Sequence, residues 1–198
     1  MSRPSLLLGL ALLLNAGCES KAPPEPASTR PAQVAQSTPP ARGTPTVAKL
    51  TWTDPEGWTK DPKQRPMRLA TYHVPGSDDA SPAELAVFHF GPGDGGGIEA
   101  NITRWVGQFS DVPSSEVVRT EKRTSAGAPV HVVEIPRGTF ASGMPGAPAV
   151  PKPDYALLGA IVESPSGSYF FKLTGPSATV ANQRDRFHGL LDSVRPDS

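Results

Sequence analysis

Gly91-Pro-Gly-Asp-Gly-Gly96 carries the glycine spacing G-x-G-x-x-G, follows a segment of strand character and opens a helical stripe. In a dinucleotide-binding loop such glycines let the backbone approach a pyrophosphate at a helix N-terminus. Here Pro92 stiffens the turn, and the segments after the helix read as a strand meander rather than a parallel βαβ unit. No dinucleotide, and no other cofactor, is therefore expected. A simpler chemistry fits the same residues: backbone N–H groups that open a helix can hold a phosphate or a carboxylate. The candidate ligand-binding residues are Gly95, Gly96 and Gly97 at the helix entrance, with Asn101 and Arg104 on the helix itself. Lys172 is a further cation that could border a groove with Asn101 and Arg104.

Other reactive side chains fall into no pattern. His73, His89, His131 and His188 are the only histidines, and none pairs at a metal-ligand spacing. His131 and Glu134 stand three apart on a strand, so they point to opposite faces. No metal site is expected. There is neither Gly-x-Ser-x-Gly nor Ser-x-x-Lys, the spacings that place a nucleophilic serine. No catalytic set is predicted, and the chain is read as a non-enzyme, with a hydrolase as the weaker alternative.

The elements that must hold these residues follow from periodicity. Alternating apolar positions predict strands at Lys49–Thr53, Met67–Val74, Glu84–Phe90, Glu116–Thr124, Val130–Ile135, Tyr155–Glu163 and Ser168–Thr174. Ser164-Pro-Ser-Gly167 is turn chemistry and predicts a hairpin between the last two. Ile98, Ile102, Trp105, Val106 and Phe109 form an apolar stripe at helical spacing. A second helix is predicted from about Ala178 to Ser193, burying Val180, Phe187, Leu190, Leu191 and Val194, with Ser177 as N-cap. Short links between most strands require antiparallel pairing. The fold class is therefore α+β: an antiparallel sheet of six to seven strands with two main helices packed on it. Pro136 to Asp154 holds eight of its residues as Pro or Gly and reads as a long inter-strand link, either a functional loop or a passive insert.

Composition excludes several functions. Across 198 residues, 19 Lys+Arg balance 19 Asp+Glu, and a neutral chain lacks the basic footprint of a nucleic-acid binder. No apolar run reaches the roughly 20 residues of a spanning helix. One Cys allows no intrachain disulfide and no multi-thiolate zinc site.

The start of the chain reads as an address. Arg3 precedes Leu6–Leu14, which is Leu apart from Gly9 and Ala11, and this is the length of a secretory h-region. Leu14-Asn-Ala-Gly-Cys18 resembles the lipobox of bacterial lipoproteins. That resemblance implies a signal peptide over 1–17 and lipidation of Cys18, a membrane anchor that needs no spanning helix. Glu19 in place of Asp then favours the periplasmic face of the outer membrane. Residues 18–46, rich in Pro and Ala, read as an extended tether, because they have too little apolar surface to offset ordering entropy.

Residues 47–195 form the predicted domain. Its opening, Trp52-Thr-Asp-Pro-Glu-Gly-Trp58, resembles the aromatic-x-x-Pro-x-Gly-Trp opening of PsbP/Mog1-like proteins. Tyr169-Phe-Phe-Lys-Leu-Thr-Gly-Pro176 resembles the closing strand and helix entry of bacterial members. The resemblance implies an α-β-α sandwich around an antiparallel sheet, with no shared catalytic residues. The function expected is that of a lipid-anchored, non-catalytic binding or interaction domain in the cell envelope, whose partner is a cell-envelope protein. The alternative expected is a small anionic-ligand module at the Gly91–Gly97 helix entrance.

Overall fold

A computed structural model describes residues 49–76, 80–143 and 149–197. The expected signal peptide 1–17, the lipidation site Cys18 and the tether 18–46 lie outside the described residues. The described residues belong to one contact unit, Thr44–Ser198.

The strands are β1 (Leu50–Thr51), β2 (Thr59–Lys60), β3 (Ala70–Val74), β4 (Ala83–Phe90), β5 (Phe109–Ser110), β6 (Val118–Arg123), β7 (Pro129–Phe140), β8 (Lys152–Val162), β9 (Ser168–Pro176) and β10 (Arg195–Pro196). The helices are α1 (Ile98–Val106), α2 (Ser177–Asn182) and α3 (Arg184–Asp192). Eight strands form one sheet in the order β2-β3-β4-β9-β8-β7-β5, with β6 also paired to β7. Every pairing in it is antiparallel. The sheet exceeds the expected six to seven strands because β2 and β5 are two-residue pairings too short for periodicity to reveal. β1 leaves the main sheet and pairs with β10.

Alternation along the long strands divides the core. On one face Tyr72, Leu85, Val132, Leu158 and Phe171 pack with Val180, Phe187, Leu190 and Leu191 of α2 and α3. On the other, Val133, Ile135, Leu157, Ile161 and Phe170 pack with Ile102 and Trp105 of α1. Helices thus cover both faces, the α-β-α layering the opening motif implied. Burying side chains of this size contributes about 1.5–3 kcal/mol each. The opening motif itself is a clasp: Trp52 Nε1 donates to the Tyr72 hydroxyl at 2.9 Å, which donates to Asp54 Oδ1, and Trp58 Nε1 donates to Gln183 Oε1 at 2.9 Å.

Four local expectations change. The second helix is two helices, broken at Gln183, whose backbone takes φ −97°, ψ 2°. The buried Gln183 side chain meets Trp58 on one side and donates to the Pro75 carbonyl at 3.3 Å on the other, so tertiary contacts set the break. Ser177 is the first helical residue rather than the N-cap, because β9 pairs as far as Pro176, opposite Tyr155. Its hydroxyl donates to Asp154 Oδ1 at 2.7 Å instead.

Phe109 lies beyond α1, in β5, opposite Phe140, because the helix stops at Gly107. The link expected over Pro136–Asp154 is shorter: β7 runs to Phe140 and β8 starts at Lys152. The ladder skips from Ile135 to Gly138, so Pro136, which has no N–H to donate, sits in the irregularity. Residues 144–148 of the remaining link lie outside the described residues.

Candidate functional site

The sheet face under α1 is longer than the helix. α1 has nine residues, about 13–14 Å of helix at 1.5 Å per residue. Its Trp105 lies over Gly159 and packs on Phe170, and the β4 side of the face, with Ala86 and Phe88, lines a cleft beside the helix. Across these strands Ala86 pairs with Lys172, and Lys172 pairs with Gly159, while Phe88 pairs with Phe170. Small neighbours on both sides leave Lys172 as the one long side chain of its row. The result is a cleft of about 610 Å³, within the size range of small-molecule sites.

Its walls are aromatic. Phe88, Phe90 and Phe170 come from the sheet, Trp105 from α1, and Phe140 and Tyr155 from the β7–β8 ends. Phe140 and Tyr155 lie nearly parallel, 5° apart with centroids at 6.1 Å. Four cations, Arg68, Arg104, Lys152 and Lys172, line the cleft against the single carboxylate of Glu84. That carboxylate is taken: Arg68 reaches Glu84 Oε1 at 2.7 Å.

Lys172 sits at the centre. Its Nζ donates to Gln108 Oε1 and lies 5.2 Å from the centre of the Phe140 ring. Among the described residues it has no carboxylate partner. Burial, followed by the nearby charges of Arg104 and Arg68, pushes its amine down to about 8 from 10.5. Those are the conditions that a bound anion relieves. Three further cations stand against rings or helix: Lys152 Nζ is 5.3 Å from the Tyr155 centroid, Arg68 is 5.8 Å from that of Phe88, and Arg104 donates to Asn101 Oδ1.

The expected site residues separate. Asn101, Arg104 and Lys172 do meet, all three lining the cleft. Asn101 is buried, and its Nδ2 donates to the Gly95 carbonyl at 2.8 Å and the Gly97 carbonyl at 3.0 Å. Its role is thus to tie the glycine loop to the helix while its oxygen orients Arg104. Gly95 and Gly96 take left-handed φ of 81° and 79°, so they serve the turn into α1. Neither they nor Gly97 line the cleft.

Periodicity missed Arg68, Lys152 and the Phe140–Tyr155 wall. The first precedes β3 and the others sit at strand ends that a run of Pro and Gly disguised. A signal did exist for Lys172: it is a charge in the otherwise apolar Tyr169–Leu173 run.

His131 and Glu134 occupy opposite faces of β7, as strand geometry required. His131 meets Glu121 and Glu163 at 3.3 and 2.8 Å. Glu134 accepts Arg184 Nε at 2.8 Å and His188 Nε2 at 3.0 Å on the α3 side. Among the described residues, no group of three or more His, Cys, Asp or Glu could hold a metal ion. No helix among them is long and apolar enough to cross a membrane.

Fold and site together define an α+β sandwich with a cationic, aromatic cleft beside α1. No protein-family model matches the chain, and no curated protein matches it. Eleven chains of solved structures match it, among them these two. One is a protein of unknown function, PA94, from Pseudomonas aeruginosa, 10% identical at TM-score 0.46, covering 75% of this chain and 98% of that one. The other is cyanobacterial PsbP (CyanoP) from Synechocystis sp. PCC 6803, 14% identical at TM-score 0.45, covering 78% of this chain and 96% of that one. Likeness at that level carries no functional information.

Proposed function

We propose that this protein is a lipid-anchored, extracytoplasmic binding module, non-catalytic, that takes a small anionic ligand in the cleft beside α1. The observation that carries the reading is Lys172. It rises from the sheet floor among cations, held by an amide oxygen and a ring face, with no carboxylate partner among the described residues. An uncompensated ammonium in a half-buried cleft costs free energy that a bound anion offsets. The ligand's place is thus the cleft, with Asn101 and Arg104 at its edge, rather than the glycine loop.

Isothermal titration of the full chain with citrate tests the binding reading. Binding that falls at least tenfold in Lys172→Gln supports it. No binding, or binding indifferent to Lys172, overturns it.

The anchor rests on the lipobox resemblance of Leu14–Cys18, and Glu19 after it favours the periplasmic face of the outer membrane, within reach of cell-envelope proteins. Fractionation of cells carrying Cys18→Ala tests it. Release of the protein to the soluble fraction supports the anchor, and continued membrane association overturns it.

A further inference from the structure

We infer that the ligand of the α1 cleft is a flat aromatic carboxylate, with its charge at Lys172 and Arg104 and its ring against Phe140 and Phe88. This rests on the anion-binding reading above and narrows it to a chemical class.

Three observations select that class. First, the cations are set on ring faces. Lys172 lies over Phe140, Arg68 over Phe88 and Lys152 over Tyr155, at 5.2, 5.8 and 5.3 Å from the ring centres. A group that pairs with such a cation lies beside a ring, and an aromatic acid holds its carboxylate in the plane of its own ring. Charge pairing and ring stacking are then satisfied together. A flexible chain satisfies only the first and loses rotamer freedom on binding.

Second, the walls are rings and the floor beside Lys172 is low. There Ala86, its β4 neighbour, contributes only a methyl group between Phe88 and the open end of the cleft. A planar body lies flush on such a surface. Third, the volume of about 610 Å³ exceeds what a bare inorganic anion or acetate fills. An occupant that excludes water from it must bring an apolar body, and two fused rings fit the space comfortably.

The test compares acids of equal charge on the full chain by calorimetry: 2-naphthoate, octanoate and acetate, with 2-naphthalenemethanol as the uncharged ring. Citrate serves as competitor. The expected result is that 2-naphthoate binds at least tenfold more tightly than octanoate or acetate and is displaced by citrate. It weakens at least fivefold in Phe140→Leu and, independently, in Phe88→Leu, and the alcohol binds at least tenfold more weakly than the acid. Two variants are used because each ring also packs on a neighbour, so retention of the thermal transition is checked for both. Octanoate binding as tightly as 2-naphthoate overturns the aromatic class. So does a 2-naphthoate affinity unchanged in both ring variants. In either case, citrate binding that still depends on Lys172 leaves the anion reading standing. Failure of both citrate and 2-naphthoate to bind removes both.

Discussion

Gly159 and Lys172 stand opposite one another in the β8–β9 register, and what Gly159 lacks determines what Lys172 can do. A Cβ at Gly159 would lie 2.7 Å from the Trp105 ring and 2.9 Å from Val133 Cγ1. The glycine therefore seats α1 directly on the sheet and sets where the helix, and with it the cleft wall, begins. Gly159→Ala should destabilise the fold by about 1–3 kcal/mol, the usual cost of overpacking. The measurement is a lower denaturant midpoint at unchanged m-value.

Lys172 should make stability, and the affinity for the proposed anion, depend on pH. Its folded-state value, about 8, lies below the ordinary 10.5. Below pH 8 the amine is charged in both folded and unfolded chains and the full cost of burying it is present. Between about 8 and 10.5 the unfolded chain holds the proton that the folded one has lost, so stability rises with pH and the cost disappears. Lys172→Met should accordingly stabilise the unliganded protein at pH 7 by about 1–2 kcal/mol, on the scale of 1.4 kcal/mol per unit with allowance for partial exposure. An anion favours the charged amine, so its affinity should fall as pH rises above 8. Calorimetry at pH 6.5 and 9.5 in buffers of different ionisation enthalpy checks the fall and the accompanying proton uptake.

The other sheet face carries the acid sensitivity. Burial raises the Glu134 carboxyl, but hydrogen bonds from Arg184 and His188 outweigh it and hold the group below its ordinary 4.5. Such a carboxylate stabilises the fold fully above about pH 4.5, and its contribution is lost as pH falls through the folded-state value. Glu134→Gln should cost about 1–3 kcal/mol at pH 7, moderated by the exposure of Arg184. The variant's deficit should shrink on acidification below 4.5. Urea midpoints at pH 7 and pH 3.5 provide the check.

Tyr72 joins the opening motif to the sheet. Burial, and then the hydrogen bond to Asp54, raise its phenol above the ordinary 10, so it remains a donor throughout the physiological range. Tyr72→Phe keeps the ring packing and removes only the hydroxyl between Trp52 and Asp54. A loss of about 1 kcal/mol is expected. It should be accompanied by a change in tryptophan emission, since the Trp52 N–H loses its acceptor. Unchanged stability and emission would mean that the clasp contributes nothing.

Much of the architecture was legible because it depends on local rules. Alternation in Glu84–Phe90 and Ser168–Thr174 assigns their two faces whatever they pair with, and Ser164–Gly167 turns the chain by its own chemistry. The three-residue spacing of His131 and Glu134 separates them for the same reason. The helical spacing runs three residues beyond α1, to Phe109, because a strand side chain can continue a helical pattern by coincidence. Gln183 broke the second helix through partners at Trp58 and Pro75, more than 100 residues away in the chain.

What the sequence determined by itself is the α+β class, the antiparallel pairing, and the cations Arg104 and Lys172 as candidates for one groove. These follow from period, turn chemistry and charge, which act over a few residues. What only the tertiary structure decided is that the groove is a cleft on the sheet, not a loop at the helix entrance. Its depth comes from the length of α1 relative to strands far from it in sequence, and its charge from Arg68, Lys152 and Lys172, which only strand register brings together. No local pattern encodes such a coincidence of distant residues, because it exists only once β4, β8 and β9 are aligned.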